Sequence, residues 1–438
     1  MHFKRNSYDA IIIGSGVGGL CAGARLAHAG YDVLLLEKLS RLGGRKTTKE
    51  YKGFQIPTGA IHYHLYGDNG PEAQTLRELG VPWKSRPCIP HTIWRIGNKE
   101  YTMPVKGGMK YMFELAGLSA REQERLSKIF IQALRWNEPS DKIPFSEWLL
   151  QYSDNKVLYA MYDAWVANIS GHGAEKVSAG EFIREMRFFS SPPSVIPGGN
   201  RGLIDALNGV MLRHGGEVHV GTKVREIIIE EGKAKGVVVE TEKGDTIDLK
   251  TKVVISDVGP KATVKLGGRK NFDTGFLKEV DELEPAGNCL IIIYVDDRPL
   301  FECSGYLSVP YEYGGCQRIS TVCLPSFQER ELDAPGKYAH HFFALVKGEK
   351  EEEIKLAKED IRTFYPKDFD EEKILLIQTY SKERPSYLCI PGTGLDQKSP
   401  VENLYMVGDG CSPSPYLGGE ACAQSAKIVV EDIQKSPK

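Results

Sequence analysis

Long apolar stretches are missing from this sequence. It contains no run of eighteen or more apolar residues, so no segment is long enough to cross a bilayer as one helix. Near the start, Lys4 and Arg5 precede an apolar stretch, but the glycines from Gly14 onward interrupt it at once. A cleaved export signal needs a longer apolar region. The sequence therefore predicts a cytoplasmic protein without a spanning helix.

An excess of charge of either sign is also missing. Lys and Arg together number 56, and Asp and Glu together number 58, which leaves a formal net charge of -2 at pH 7. Proteins that hold nucleic acid through bulk electrostatics carry a marked positive excess. We therefore expect no nucleic-acid partner.

The cysteines form no pattern. There are nine of them, an odd number, and they are scattered without a CxxC pair and without a histidine at ligand spacing. Structural zinc sites and disulfide frameworks both need regular spacing. The sequence therefore predicts buried thiols in a reducing compartment and no metal site.

The strongest positive signal is the glycine-rich segment GSGVGG, which follows an apolar strand-like run and opens a helical pattern. In a nucleotide-binding βαβ unit the first glycine allows a tight turn, the second lets a pyrophosphate approach, and the third lets the helix pack on the strand. The pyrophosphate is then held at a helix N-terminus. The predicted cofactor-binding residues in this segment are Gly14, Ser15, Gly16, Gly18 and Gly19.

An acidic residue completes this unit. Glu37 stands at the end of the second predicted strand, eighteen residues after Gly19, where a carboxylate can accept hydrogen bonds from ribose hydroxyls. Lys38 follows it and is included in the predicted site. A carboxylate at this point repels a phosphorylated ribose, so the pattern favours FAD or NAD over NADP.

The segment LSRLGGRKT follows, and its Gly43, Gly44 and Arg45 resemble the GGR motif of the FAD-dependent amine oxidase and phytoene desaturase superfamily. Arginine suits such a place because its guanidinium binds phosphate and ring acceptors. The stretch TKVREI resembles the part of that family in which backbone groups, here at Val224, hold the adenine. The resemblance implies FAD as the cofactor.

The C-terminal stretch VGDGCSPSPYLGGEACAQSAK resembles the closing flavin motif of the same superfamily. The resemblance implies that Gly408 and Asp409 bind the ribityl or pyrophosphate oxygens. It also implies that Leu417 and Gly418 open a helix whose N-terminus points at the flavin pyrimidine ring. Covalent attachment of the flavin needs a thiol at its ring. Cys411 and Cys422 are candidates only because they lie in this motif of the sequence, so we expect noncovalent FAD.

The sequence GFQIPTGAIHY stands where the family has a GFxFDxGP stretch beside the isoalloxazine. The match is partial, because Ile56, Pro57 and Thr58 replace Phe-Asp-x and Ala60 replaces the proline. Thr58, Gly59 and Ala60 are nevertheless the predicted flavin-facing residues. VIPGGNRGLIDAL is similar to the PxGG passage of phytoene desaturase-like proteins.

These motifs lie in three α/β segments that two long insertions separate. We predict an α/β protein with a Rossmann-like FAD-binding domain of the glutathione reductase and amine oxidase type, formed by residues 1–75, 198–261 and 383–438. A second, α+β substrate domain is expected from residues 76–197, mostly helical, and 262–382, a sheet with a helix. The active site should lie between the two domains.

Candidates for a catalytic role are His62, His64 and Tyr416. The two histidines lie just beyond the flavin-facing stretch and have a pKa suited to proton transfer. A purely structural role is the favoured interpretation of both, because a histidine within a strand often only satisfies hydrogen bonds. Tyr416 either lines the substrate cavity or packs.

The resemblance implies a FAD-dependent oxidoreductase that dehydrogenates, or desaturates, an apolar small molecule, with an isoprenoid as one candidate. One glycine fingerprint is present and no second one for a nicotinamide, so electrons should pass to a diffusible acceptor such as oxygen or a quinone. The alternatives are a flavin amine oxidase and, in another class, a non-redox isomerase or FAD-containing carrier. The stretches MKYMFELAGL and MRFFSSPPSV further predict peripheral contact with a membrane.

Overall fold

The computed structural model describes residues 3–136, 143–187, 191–240, 244–283, 289–380, 394–411 and 416–435. The strands are β1 (Ser7–Ile13), β2 (Val33–Leu36), β3 (Thr48–Tyr51), β4 (Phe54–Pro57), β5 (Tyr63–His64), β6 (Arg86–Pro87), β7 (Thr92–Ile96), β8 (Lys99–Thr102), β9 (Ser194–Val195), β10 (Glu217–His219), β11 (Lys223–Glu230), β12 (Lys233–Glu240), β13 (Thr246–Ser256), β14 (Cys289–Asp296), β15 (Tyr306–Ser308), β16 (Ile319–Cys323), β17 (Tyr338–Leu345), β18 (Ile374–Tyr380) and β19 (Leu404–Met406). The helices are α1 (Val17–His28), α2 (Pro71–Glu78), α3 (Gly108–Leu115), α4 (Ala120–Trp136), α5 (Phe145–Leu150), α6 (Lys156–Ser170), α7 (Ala179–Met186), α8 (Gly199–Arg213), α9 (Pro260–Gly267), α10 (Thr274–Glu282), α11 (Lys350–Phe364) and α12 (Gly418–Lys435).

The first sheet has seven strands in the order β10-β2-β1-β13-β12-β11, with β19 paired to the end of β13. β10, β2, β1, β13 and β19 pair in parallel, whereas β11 and β12 form an antiparallel extension. Residues 10–13 of β1 are all buried, as expected for a parallel strand covered on both faces. The predicted βαβ opening and the mixed α/β fold class are therefore confirmed.

Parallel pairing brings three chain segments to one edge of this sheet. Ile13 at the end of β1 is in register with Ser256 at the end of β13, and Ser256 is in register with Met406 at the end of β19. The loops that follow these strands therefore start side by side. Ligands of open parallel sheets bind at this carboxyl edge.

Helices α1, α8 and α12 pack on one face of the first sheet and bury apolar side chains such as Leu20, Leu207 and Val429. Leu203, Leu207, Val210 and Met211 recur at helical spacing in α8 and are buried. These three helices fix the position of the loops at the carboxyl edge.

The second sheet has the order β18-β14-β17-β16-β15-β7-β8, with β7 and β15 parallel and the other pairs antiparallel. Its strands β14, β16 and β17 come from residues 262–382, where we expect a sheet with a helix. Helix α11 packs on one face of this sheet. Helices α3 to α7 form a separate aromatic-rich core beside this sheet.

Two predicted domain boundaries fall inside helices. The boundary after residue 75 lies within α2, which packs against α12. The boundary after residue 261 lies within α9, and Val264 of α9 and Val280 of α10 share a core with strands of the first sheet. The domain limits themselves stay a prediction.

Within the described ranges, no helix combines the length and the apolar character that crossing a membrane requires.

Candidate functional site

The glycine-rich loop begins directly after β1 at the carboxyl edge of the first sheet. Gly14 has φ +97°, a backbone conformation that residues with a Cβ rarely adopt. A Cβ on Gly19 would collide with the carbonyl oxygen of Gly14, so the first turn of α1 can approach the loop only because this position is glycine. The glycines of this loop therefore place no side chain of their own in front of the amides at the N-terminus of α1.

Glu37 is buried against this loop. Its Oε2 accepts hydrogen bonds from the amide of Ser15 at 2.9 Å and from the Ser15 hydroxyl at 2.6 Å, and its Oε1 accepts one from the Leu39 amide at 2.8 Å. A carboxylate held in this way is placed for ribose hydroxyls beside the fingerprint. The side chain of Lys38 is exposed and adds no contact to this group.

Val224, whose backbone is predicted to hold the adenine, lies near Glu37. The Thr222 amide donates to the carbonyl oxygen of Glu37 at 2.7 Å, and Val224 follows at the start of β11 with its side chain 7% exposed. The structure therefore brings Val224 to the same end of the sheet as Glu37.

The GGR loop packs on the fingerprint and on the C-terminal motif. The Gly43 amide donates to the carbonyl oxygen of Ser15 at 2.9 Å. Arg45 Nη2 donates to Asp409 Oδ2 at 2.6 Å. Gly408, just before Asp409, lies beside Gly18, because its amide nitrogen is 3.0 Å from the point where a Gly18 Cβ would stand. The three predicted motifs thus form one site.

The predicted flavin-facing residues are hydrogen-bonded to the GGR loop. The Thr58 hydroxyl donates to the Gly44 carbonyl oxygen at 3.2 Å, and the Ala60 amide donates to that of Arg45 at 3.3 Å. Asn200 of the PxGG passage donates from Nδ2 to the Ala60 carbonyl oxygen at 2.6 Å. The segment from Thr58 to Ala60 is therefore held from two sides.

His62 lies beyond this segment and is used within the protein. Its Nε2 donates to the carbonyl oxygen of Gln55 at 2.9 Å, and its Nδ1 accepts from the Asn200 amide at 3.1 Å in the first turn of α8. Burial lowers the pKa of His62 to about 4. The geometry favours a structural role, and a catalytic role for His62 stays a prediction.

His64 is engaged in the same way. Its Nε2 accepts from Trp83 Nε1 at 3.0 Å and its Nδ1 donates to Glu72 Oε2 at 2.8 Å. Burial lowers its pKa, although the hydrogen bond to Glu72 opposes the shift. Both ring nitrogens of His64 have hydrogen-bond partners in the protein, which favours a structural role. A catalytic role for His64 also stays a prediction.

The hydrogen bond between His64 and Glu72 belongs to a buried charged cluster, which consists of Lys46, His64, Glu72 and Glu420. Lys46 Nζ lies 2.6 Å from both carboxylate oxygens of Glu72, and Glu420 Oε2 accepts from the Glu72 amide at 2.8 Å. Burial opposes ionisation of Glu72, but Lys46 and His64 outweigh it and lower its pKa. Burial and the nearby Glu72 raise the pKa of Glu420 to about 8.

His64, Glu72 and Glu420 also place three donor atoms close enough to share a cation. The Lys46 ammonium already stands against both Glu72 oxygens, so the positive charge of this cluster is a lysine of the chain itself.

The C-terminal motif continues across residues 412–415, which lie outside the described part. After them, the Leu417 amide donates to the Tyr66 hydroxyl at 3.2 Å, and that hydroxyl donates to Glu185 Oε1 at 2.8 Å. Gly418, with φ +55°, begins α12. The half-buried ring of Tyr416 lies 5.9 Å from the Tyr66 ring, so the structure shows packing, and its lining of a cavity stays a prediction.

Several residues at the site were not predicted from the sequence. Asp257 follows β13 at the carboxyl edge, and a polar residue directly after a buried parallel strand is a signal that could have found it. Lys46 follows the GGR motif, and Glu72 opens α2 after a Gly-Pro pair. No local signal connects Lys46 to Glu72 or Glu420, because their contact arises only in the folded chain.

The site fits FAD on the chain's own geometry. Glycines clear the N-terminus of α1 for a pyrophosphate, Glu37 stands beside it for a ribose, and the Arg45, Asp409 and Thr58 segments meet where the rest of the dinucleotide would extend. These residues would hold the cofactor.

Comparisons with known proteins also indicate a flavin-binding protein. The family described as flavin containing amine oxidoreductase matches residues 17–434. An uncharacterised protein of Methanocaldococcus jannaschii is 28% identical over 425 residues, which cover 96% of this chain and 98% of that protein. An oxidoreductase from Methanosarcina mazei has a crystal structure similar to this one, with TM-score 0.87 and 28% identity, covering 96% of this chain and 99% of that chain. A protein from Pyrococcus furiosus has TM-score 0.79 and 26% identity, covering 98% of both chains. Because the family match spans nearly the whole sequence, the chain belongs to the flavin-containing amine oxidoreductase family, as a FAD-dependent oxidoreductase.

Proposed function

We propose that this oxidoreductase dehydrogenates a neutral, apolar small molecule and passes the electrons to a diffusible acceptor such as oxygen or a quinone. The proposal rests on a small cavity between the second sheet and the helical insertion. Its apolar lining includes Trp94, Met103, Met112, Trp165, Ile169 and Tyr306. A mostly apolar cavity with a few polar groups is typical of a small-molecule site.

The charges around this cavity favour a neutral ligand. None of the described residues that line it carries a carboxylate, so a protonated amine would find no counter-charge there. His91 lines the cavity as well, and burial lowers its pKa, which keeps the ring neutral near pH 7. Desolvating an ammonium without a partner is costly, so these walls support the apolar substrate over the amine.

One polar group in the cavity indicates a further property of the ligand. The indole Nε1 of Trp94 is buried and has no hydrogen-bond partner among the described residues, and Trp94 itself is 1% exposed. A buried donor without a partner costs free energy, which a ligand oxygen would recover. The favoured substrate is therefore an apolar molecule with a hydroxyl or carbonyl group.

Contacts through Tyr63 and Lys46 connect the cavity wall to the GGR loop. The ring of Tyr306, which lines the cavity, is 5.2 Å from the ring of Tyr63, and the Tyr63 carbonyl oxygen accepts from Lys46 Nζ at 3.1 Å. Lys46 directly follows Arg45. When bound, FAD supplies an oxidised ring that accepts a hydride. The chain's part is to hold the apolar molecule in a dry cavity beside that site.

A membrane contact is part of the same proposal, but it rests on the loop that precedes the first predicted stretch, since Met112 and Phe113 of that stretch are buried. Met103 and Met112 line the cavity from either side of a loop in which Val105 is 70% exposed and is followed by the exposed Lys106. An exposed apolar side chain beside a lysine suits an anionic bilayer surface. Part of the second predicted stretch, residues 188–190, lies outside the described residues. Co-sedimentation with anionic vesicles, compared between the unchanged protein and Val105→Asp, tests the contact.

The function is tested by adding isoprenoid and fatty alcohols, the matching hydrocarbons and the primary amines of the same chains to the holoenzyme without oxygen. Bleaching of the oxidised flavin absorbance by neutral compounds would support the proposal. Bleaching by the amines alone would establish an amine oxidase instead. Product formed without bleaching or added reductant would support the isomerase, and no response from any compound would favour the carrier.

The role of Trp94 is tested with Trp94→Phe, which removes the N–H and keeps an aromatic ring. We expect alcohols to bind about tenfold more weakly, because one hydrogen bond is lost, while hydrocarbons bind as before. Trp148→Phe is the matched control, since Trp148 is buried in the helical core but does not line the cavity. Equal weakening of alcohols and hydrocarbons would contradict a hydrogen bond from Trp94.

A further inference from the structure

Asp257 stands at the point where the three segments of the FAD site meet. It follows Ser256, the last residue of β13, which is in register with Ile13 of β1 and with Met406 of β19. Its backbone amide donates to the Ile13 carbonyl oxygen at 2.8 Å. The side chain is therefore placed between the glycine-rich loop and the C-terminal motif.

The Asp257 carboxyl group fills the space in front of the fingerprint glycines. A Cβ on Gly16 would collide with Asp257 Oδ2, and one on Gly19 would lie 3.0 Å from the same atom. Asp257 Oδ1 is 2.8 Å from the corresponding point on Gly18 and 3.0 Å from that on Gly408. The carboxyl group thus faces the first turn of α1, where a pyrophosphate binds in this type of fold.

Asp257 Oδ2 is buried and has no hydrogen-bond partner among the described residues. Burial raises the pKa of Asp257 to about 8, and the nearby carboxylates of Asp409 and Glu37 act in the same direction. The Gly19 amide and Arg45 oppose this shift, but the Arg45 guanidinium is already hydrogen-bonded to Asp409.

Two thiols complete the titratable groups that face Asp257. Cys21 lies on α1 and Cys422 on α12, and burial raises the pKa of both. Both thiols are therefore protonated near pH 8 and add no charge there. The carboxylates of Asp409 and Glu37 and the Arg45 cation are the charges that act on Asp257.

We propose that Asp257 couples FAD binding to a proton: FAD binds when Asp257 is a neutral carboxylic acid and is released when this side chain ionises. A pyrophosphate at the N-terminus of α1 brings negative charge to the place that Asp257 faces, and two anions in a buried site repel each other. Binding at a pH where the free protein has Asp257 ionised must therefore take up one proton from solvent.

The first test measures protons directly. FAD is titrated into the apoprotein by calorimetry in two buffers that differ in ionisation enthalpy, at pH 6 and at pH 9. Since the pKa of Asp257 is about 8, we expect nearly no proton uptake at pH 6 and nearly one proton per FAD at pH 9. Equal uptake at both pH values would overturn the proposal, whatever the substrate of the enzyme.

The second test follows FAD release from the diluted holoenzyme by the rise in free-flavin fluorescence. Between pH 7 and pH 9 the dissociation constant of the unchanged protein should increase about tenfold, as ionisation of one group predicts. Asp257→Asn has the same shape and does not ionise, so its dissociation constant should stay constant over this range. A steep pH dependence that persists in Asp257→Asn would assign the proton to another group.

A control separates this effect from the general effect of neutralising a buried acid. Asp163 of α6 is also buried, accepts a hydrogen bond from the Ala174 amide at 2.7 Å and has a pKa raised by burial. It lies in the helical insertion, away from the fingerprint. Asp163→Asn should keep the tenfold pH dependence. If Asp257→Asn fails to fold, the calorimetric proton count on the unchanged protein still decides the proposal.

Discussion

Arg45 and Asp409 are 364 residues apart in the chain, and Arg45 Nη2 donates a hydrogen bond of 2.6 Å to Asp409 Oδ2. The pair joins the GGR loop to the C-terminal motif. Both segments carry predicted cofactor contacts, so this bond sets the distance between two walls of the FAD site.

We expect Asp409→Ala to retain FAD about ten- to a hundredfold more weakly, because a hydrogen bond between charged groups is lost and the two walls separate. The ratio of flavin to protein absorbance after gel filtration, at a series of protein concentrations, measures this. Asp281→Ala removes an exposed carboxylate that pairs with Arg269 at 2.8 Å, and it should leave FAD retention unchanged. Similar losses in both variants would show a nonspecific effect.

Replacing either of two helical glycines by alanine should change the stability of the protein, in opposite directions at the two positions. Gly19→Ala places a methyl group on the Gly14 carbonyl oxygen, so the protein should lose stability and FAD. Gly209→Ala in α8 meets only the flexible end of Arg213 at 3.2 Å and should raise the free energy of unfolding by about 0.5–1 kcal/mol. Urea unfolding and flavin content, measured together, check both. Stabilisation by Gly19→Ala would contradict the close approach of α1 to the loop.

Acid should destabilise the protein partly through His62. In the unfolded chain this histidine takes up a proton below pH 6.5, whereas in the folded protein it does so only near pH 4. The unfolded state therefore binds more protons between these values, and stability falls as the pH falls through this window. From pH 7 to pH 5 His62 should cost about 2 kcal/mol.

His62→Gln can accept from Asn200 and donate to Gln55, yet it does not titrate. Urea midpoints at pH 7 and pH 5 should therefore differ less in this variant than in the unchanged protein. His340, whose pKa burial also lowers to about 4, contributes equally to both proteins and cancels in the comparison. The same acid sensitivity in both would rule out His62 as its source.

The Lys46 and Glu72 pair should matter for stability far more than an exposed pair. Lys46→Met leaves the Glu72 carboxylate buried without its cation, which should cost about 3–5 kcal/mol. The double variant Lys46→Met and Glu72→Met should recover most of that loss, since no charge is then buried. Lys128→Met breaks an exposed pair with Glu124 and should leave the urea midpoint unchanged.

The three cofactor motifs were recognisable in the sequence because each depends on neighbouring residues. The glycine fingerprint lies within one strand, helix, strand unit, and Glu37 and the GGR motif follow that unit directly. The structure places all three at one sheet edge. The histidines were ambiguous for a physical reason: the sequence shows that His62 and His64 are polar residues near the site, but not that every ring nitrogen already has a partner.

The sequence by itself indicated a dinucleotide cofactor and the α/β fold, since apolar periodicity and glycine spacing are local properties that act within about thirty residues. The choice of FAD came from the resemblance of the GGR and C-terminal motifs to a known superfamily. The tertiary structure alone decided which distant side chains share the site. Asp257, Asp409 and Glu420 come from segments far from the fingerprint, and they meet it only because β13 and β19 pair in parallel beside β1 and α12 packs on α1 and α2. Strand order is set by the burial of the whole core, which no local pattern in the chain expresses.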